Sequence, residues 1–350
     1  MVDLKQLLIS HYEQYPQMEI RDAIKFLHQS CMGPGHLIVD EEAAMRRLEA
    51  EWNTLPDNCP VEIGTPIGND LFRLNLKHCK AISLSTKTLF SMFNQTAKTW
   101  ISNRKTLEES LELIYTLPFP KEKIRQALLE YREAGCPMVS HSEEYRSCYS
   151  PSYRNVRREF VSLLPILCSI DSLLKNNEFI RVAIDGPCAS GKSTLGRMLS
   201  DLYHCPLISM DDFFLRPEQR TEVRLAEPGG NVDYDRFDQQ VLTPLCQHKA
   251  FSYRPWDCHL QSFAAPQQIP AAPLTIVEGS YSLRPDFRDR YHLRIWAEAS
   301  PEVRQQRLLD RDGPEMLERF RNLWIPMEDL YFSSCNVKEC CHLVWDGNIQ

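Results

Sequence analysis

The segment Gly186-Pro187-Cys188-Ala189-Ser190-Gly191-Lys192-Ser193 has the spacing G-x-x-x-x-G-K-[ST] of a phosphate-binding loop. Its glycines let the backbone curl so that successive N–H groups converge on phosphate oxygens, and the helix that follows adds the partial positive charge of its N-terminus. On this pattern Gly186, Ala189, Ser190, Gly191, Lys192, Ser193 and Thr194 surround the phosphates of a nucleotide. Lys192 reaches the β- and γ-phosphates, and the Ser193 hydroxyl sits on Mg²⁺. Carboxylates follow at intervals. Ser209-Met210-Asp211-Asp212-Phe213-Phe214 offers two, one of which can accept a proton from a hydroxyl or hold magnesium through water. Ile276-Val277-Glu278-Gly279 ends an apolar run in a third. In Asn231-Val232-Asp233-Tyr234-Asp235, Asp235 is the expected helix N-cap, which leaves Asp233 to bind hydroxyls. Arg304, Arg307 and Arg311 recur on one helix face, either as a solvated basic stripe or as a lid over phosphates.

Regular elements must hold these groups together. Phe179–Asp185 is an apolar, β-branched run of strand length directly before the loop, and a helical pattern starts at Thr194. Further strands are expected at Pro206–Met210, Leu274–Glu278 and His292–Ala297, with helices at Asp235–His248 and Pro301–Arg311. Such alternation predicts an α/β fold with a parallel sheet and flanking helices, in which ligands bind at the carboxyl ends of the strands. Asp185, Asp211 and Glu278 all fall at or just beyond strand ends. The preceding half reads as mainly α-helical: Leu4–Tyr15, Glu19–Gln29, Asp40–Trp52, Ser83–Lys98, Lys105–Leu117, Lys121–Ala134 and one long helix over Ser152–Lys175 that Pro165 should kink or end. Asn176-Asn177-Glu178 is the expected hinge, giving domains 1–175 and 176–350.

With 350 residues the chain can bury two cores of ordinary size. A formal charge of −7 speaks against a general binder of nucleic acid or of a membrane surface, while small anionic substrates remain compatible with it. No run approaches a membrane span and the first residues lack the apolar core of a signal peptide, so a cytoplasmic protein is expected. Thirteen cysteines without a regular framework read as reduced thiols. The tail Cys335–His342 lacks the paired spacing of a zinc site, and inert thiols explain it better than a metal. Cys188, inside the phosphate loop, makes oxidation a question for nucleotide binding.

The order of these motifs resembles the uridine kinase and phosphoribulokinase family of P-loop small-molecule kinases, over roughly Phe179–Arg321. The resemblance implies ATP and Mg²⁺ as cofactors and a small-molecule acceptor as partner. It implies Asp211 as catalytic base, Asp233 as the carboxylate for sugar hydroxyls, Glu278 as the magnesium-associated acid, and Arg307 and Arg311 as lid arginines. Where uridine kinases hold the base with an aromatic residue and a histidine, this chain reads Phe251-Ser252-Tyr253-Arg254-Pro255-Trp256-Asp257-Cys258-His259, with altered spacing and an inserted Arg254-Pro255. Tyr253, Trp256 and His259 are the candidates to stack on or hydrogen-bond an acceptor ring, and a packed hairpin is the competing explanation.

The expected activity is therefore transfer of the ATP γ-phosphoryl to a hydroxyl of a small metabolite, a nucleoside or related sugar-containing compound. The alternative is a nucleotide-dependent switch whose N-terminal domain binds a macromolecule. No N-K-x-D guanine-reading segment follows the loop, which disfavours a GTP-hydrolysing switch. In the first half two stretches stand out: Cys31–His36, and Val139–Arg154, dense in Tyr, Arg, Ser and His. The second suits an anionic ligand or a polar domain surface. His36 and His141 would form a pair only if the fold brought them together. Acceptor identity, the role of the first domain and any homo-oligomer are not legible at this level.

Overall fold

A computed structural model describes residues 3–35, 38, 40–57 and 61–349. The chain divides into two compact units, Met1–Cys168 and Ser169–Gln350. The division falls inside the helix Leu164–Asn176, where the sequence reading puts the boundary at 175/176. No helix among the described residues is long and apolar enough to cross a membrane.

The first unit is mainly helical around one small sheet. Its helices include Leu4–Gln14, Ile20–Met32, Glu41–Thr54, Thr86–Thr99, Lys121–Glu133 and Glu143–Tyr149. Strands β1 (Gly64–Gly68), β2 (Leu71–Asn75) and β3 (Tyr153–Arg157) form an antiparallel sheet in the order β1-β2-β3. Periodicity did not predict this sheet. Asn69 and Asp70 both have positive φ, the geometry of a tight hairpin turn, and Asx residues tolerate it. The single long helix expected over Ser152–Lys175 is corrected to β3, the helix Arg158–Ser162 and the helix Leu164–Asn176. Tyr153 to Arg157 pairs residue by residue with β2, so tertiary pairing overrides the local pattern. Pro165 sits in the first turn of the last helix, where its missing N–H costs nothing. The core gathers Leu8, Phe26, Leu27, Ile67, Leu111 and Ile124.

The second unit is a five-stranded, all-parallel sheet: β4 (Ile180–Asp185), β5 (Leu207–Ser209), β10 (Leu274–Glu278), β11 (Leu293–Glu298) and β12 (Leu343–Asp346), in the order β12-β11-β4-β10-β5. Between β5 and β10 two small antiparallel pairs intervene, β6 (Phe251–Tyr253) with β9 (Gln267–Ile269) and β7 (Trp256–Asp257) with β8 (Ser262–Phe263). The helix expected over Asp235–His248 is instead Tyr234–Phe237, a wider turn over Asp238–Leu242, and Thr243–Cys246. Pro244 cannot donate to the turn before it, and the wide turn absorbs that loss. The arginine helix runs on to Arg319, broken at Gly313 (φ 80°) ahead of Pro314. Phe213, Val232, Phe237, Val277, Tyr281 and Tyr331 pack among the buried residues of one face of the sheet.

Candidate active site

Sheet register assembles the site. Glu278 pairs with Ile184 of β4 on one side and Ser209 of β5 on the other, so the ends of three strands are level beside the loop. The loop is tied at both ends. Gly186 has φ 144°, and a Cβ there would stand 2.1 Å from the Ala297 carbonyl oxygen, so only glycine lets β4 turn against β11. Asp185, fully buried, accepts from the backbone N–H groups of Gly186 (2.7 Å) and Leu283 (2.9 Å) and from the Tyr331 hydroxyl (2.9 Å). Burial pushes its carboxyl up to about 6 even against those hydrogen bonds. It is a structural clasp.

Inside the loop the Lys192 ammonium donates to the carbonyls of Gly186 (2.8 Å) and Pro187 (2.9 Å). The Ser193 hydroxyl donates to one oxygen of Glu278 (3.0 Å) and the Ser209 hydroxyl to the other (2.9 Å). Glu278 is thus oriented by two hydroxyls at the mouth of the helix Lys192–Tyr203, whose first-turn N–H groups have no acceptor within the helix. Gly196 lets that helix approach closely: a Cβ there would meet Glu278 Cγ at 3.3 Å. The Ser190 hydroxyl is buried and has no partner among the described residues. This orphan, the free first-turn amides and the hydroxyl–carboxylate pair suit a bound triphosphate with a hard divalent cation, with Ser193 and Glu278 as the cation's protein groups.

Asp211 stands just past β5. Crowding by surrounding protein first, and the Glu278 charge second, raise its carboxyl to about 6, although the side chain stays open to water. A carboxylate near 6 is a competent base at neutral pH. Asp212 is occupied differently, accepting from the Tyr253 hydroxyl at 2.7 Å.

Other expected residues fall in less open places. Asp233, not Asp235, is the N-cap: its Oδ1 accepts from the Arg236 N–H (3.2 Å) and its Oδ2 from the Gln219 side-chain amide (3.0 Å), while Asp235 lies exposed in the first turn. Backbone geometry decided between two Asp residues that composition could not separate. Tyr253 is only 2% exposed, packed on Phe213 with ring centroids 5.1 Å apart, so its ring belongs to the core and is not free to stack on an acceptor. Trp256 is largely buried edge-on against Phe263. His259 is exposed in the β7–β8 turn, whose backbone N–H groups donate to Asp257. Its neighbour Cys258 lies within the electrostatic reach of Arg220 and Asp211.

The arginine helix holds the loop from outside. Arg304 donates to the Cys188 carbonyl (2.8 Å) and Arg307 to the carbonyls of Ala189 (3.1 Å) and Gly347 (2.7 Å). Arg311 pairs with Asp312 at 2.7 Å and is felt electrostatically by Cys188 and Asp211. Sequence reasoning missed Glu328. Buried on the helix Ile325–Cys335, it accepts from the Cys188 N–H (2.9 Å) and the Ser280 hydroxyl (2.7 Å). No motif marks it, because it reaches the loop from 140 residues away in sequence. Burial pushes the Cys188 thiol up to about 11, so it is not a reactive thiolate. In the tail, the Cys340 and Cys341 thiols point to the Val337 carbonyl (3.1 and 3.2 Å), and no cluster of metal-ligating side chains occurs among the described residues.

No family model matches the chain, and no curated protein matches it. Among solved structures it is similar to one described as a possible uridine kinase from Bacillus stearothermophilus, at 18% identity over 52% of this chain and 100% of that one, TM-score 0.40. A second is described as a fructose transport system kinase from Silicibacter sp. TM1040, at 20% identity over 48% and 90%, TM-score 0.40. A third is a shikimate kinase from Acinetobacter baumannii, at 19% over 49% and 86%, TM-score 0.28. All three are kinases by description.

Proposed function

We propose that the second unit transfers the γ-phosphoryl group of ATP to a hydroxyl of a small metabolite, a nucleoside or related sugar-containing compound. The observation that carries this is the level alignment of Ser193, Ser209 and Glu278 at three strand ends, with Lys192 in the loop and Asp211 open beside them. Lys192 exchanges its two carbonyl partners for phosphate oxygens when nucleotide enters. Ser193 and Glu278 would hold Mg²⁺, which would supply charge neutralisation for the transferring group. Asp211 accepts the proton of the acceptor hydroxyl as that oxygen bonds to the γ-phosphorus, and the bond from phosphorus to the β,γ-bridging oxygen breaks to release ADP. Arg311, two residues before the break at Gly313, supplies further positive charge. The acceptor enters beside the β7–β8 turn, where His259 is the exposed candidate contact. Asp233 serves there by fixing the backbone of the Gln219 and Arg236 segments.

ATP consumption with Mg²⁺ against a panel of nucleosides, sugars, vitamins and amino acids tests this. Acceptor-dependent ADP release that falls at least about a thousandfold in Lys192→Ala is expected. ATP binding without stimulation by any acceptor would transfer the weight to a regulatory role.

A further inference from the structure

The first unit contains a polar cavity of about 100 Å³ bordered by His11, Arg73, Lys77, Tyr145, Ser152 and Tyr153, with Glu62 at its exposed rim. Arg73 is 3% exposed, on the central strand β2. Its faces lie over the rings of Phe26 (5.1 Å) and Tyr153 (4.9 Å). Its edge donates from Nε and Nη2 to the Gln29 side-chain oxygen (3.0 and 2.7 Å) and from Nη1 to His11 Nε2 (3.0 Å). A guanidinium has five N–H groups. Three are used here, all on neutral partners, and no carboxylate pairs with Arg73 among the described residues.

His11 sharpens the point. Arginine cannot accept, so His11 Nε2 must carry its lone pair and the ring proton must sit on Nδ1. Nδ1 is buried without a partner, an orphan donor. Burial and then the Arg73 charge hold this imidazole well below its ordinary pKa, so it adds no charge of its own. Around it the ionised groups are Arg73, Lys25 and Asp22. Asp22 is already committed to His141 Nδ1 (2.8 Å), to the Ser142 N–H (3.0 Å) and to the Ser142 hydroxyl (2.6 Å). Lys25 donates to the Val139 carbonyl, and Lys77 makes no ion pair among the described residues. The buried part of the wall therefore presents Arg73 with spare donors and no uncommitted carboxylate: Asp22 is engaged by His141 and Ser142, and Glu62, at the exposed rim, accepts from the Gln14 side-chain amide (3.0 Å). Buried charge in that condition is costly unless a ligand completes it.

A second chain of contacts shapes the same wall. His141 donates to Asp22 through Nδ1, so its Nε2 accepts from the Tyr153 hydroxyl (2.7 Å) and fixes that hydroxyl at the cavity edge. Tyr145 stacks flat on His141, with centroids 4.3 Å apart. A volume of about 100 Å³ leaves room for at least one small oxyanion group beside Arg73. We infer that this cavity binds the carboxylate or phosphate group of a small organic anion, with Arg73 and Lys77 as its charge partners and the tyrosine-lined rim around the remainder of the molecule. The dense Val139–Arg154 stretch is the strand and helix that build this wall.

Calorimetric titration of the full chain tests it, in a Lys192→Ala background that weakens the phosphate loop, with inorganic phosphate and acetate as separate probes. One saturable site is expected for at least one anion, weakened at least about tenfold by Arg73→Gln and about threefold by Lys77→Met. Binding of phosphate alone assigns a phosphoester ligand, and binding of acetate alone a carboxylate. Phosphate bound only at the loop would be insensitive to both substitutions and would overturn the inference, as would no saturable heat from either probe. Should Arg73→Gln fail to fold, Lys77→Met decides on its own, because Lys77 is half-buried at the rim and its loss leaves the sheet intact.

Discussion

At the scale of the residue, the proposed transfer requires Asp211 to be ionised when the acceptor is bound. Its carboxyl titrates near 6, above the usual carboxylate range, because protein crowds it and Glu278 stands close. Turnover should therefore climb with pH through about 6 and level off above it, and a kcat profile between pH 5 and 8 checks this. The sign for stability is opposite. A carboxyl whose pKa is higher folded than unfolded holds its proton more tightly in the native state, so between about 4 and 6 stability falls as pH rises, and above 6 the charge is a cost. Asp211→Asn should accordingly melt at or slightly above the wild-type temperature at pH 7. The loop itself was legible because its pattern fixes both residue type and spacing, and Ser193 and Glu278 meet in the structure. Residue identities at the acceptor end were less legible. Whether Asp233 or Asp235 caps the helix, and whether Tyr253 faces cleft or core, depends on register and packing that composition does not encode.

At the scale of the element, glycine and hydrogen-bond geometry make sharper demands than propensity. Gly186→Ala would force a Cβ to 2.1 Å from the Ala297 oxygen at φ 144°. A cost on the order of 3 kcal/mol is expected, with loss of nucleotide affinity, read by chemical denaturation and nucleotide titration. In the first unit Asp22 caps its own helix through the Glu19 N–H (3.0 Å) and gathers His141 and Ser142. Burial works against its charge, but those hydrogen bonds outweigh it and hold the carboxyl at about 2. Asp22→Ala strands several buried donors and should cost about 3 kcal/mol, visible as a lower midpoint in urea. Four of the five parallel strands, β4, β5, β10 and β11, were legible because each is a short apolar run beside a turn. β2 and β3 were not, since Leu71–Asn75 and Tyr153–Arg157 have little alternation and are strands by virtue of each other. β12 was hidden behind a cysteine-rich tail that drew attention to metals.

At the scale of the whole molecule, two units with separate cores offer two sites of similar electrostatic taste. One is a loop of backbone donors with a lysine, backed by carboxylates that suit a cation. The other is a closed wall of arginine, histidine and tyrosine. A chain with formal charge −7 thus still holds two internal groups of donors that suit anions. This arrangement suits small anionic molecules better than polyanions. The division of labour was only half visible in sequence: a phosphate loop announces itself locally, whereas Arg73, His11, His141 and Tyr153 come from distant segments that only the fold brings together.

In the proposed reaction Asp211 takes the proton of an acceptor hydroxyl at a site that suits ATP. The most direct measurement compares wild type and Asp211→Asn in paired assays, the affinity for a nucleotide analogue and single-turnover transfer of labelled γ-phosphate to the acceptor found by the panel. Nucleotide affinity within about twofold, with transfer slowed at least a hundredfold, is the predicted result. Transfer at a near-normal rate in Asp211→Asn would contradict the account.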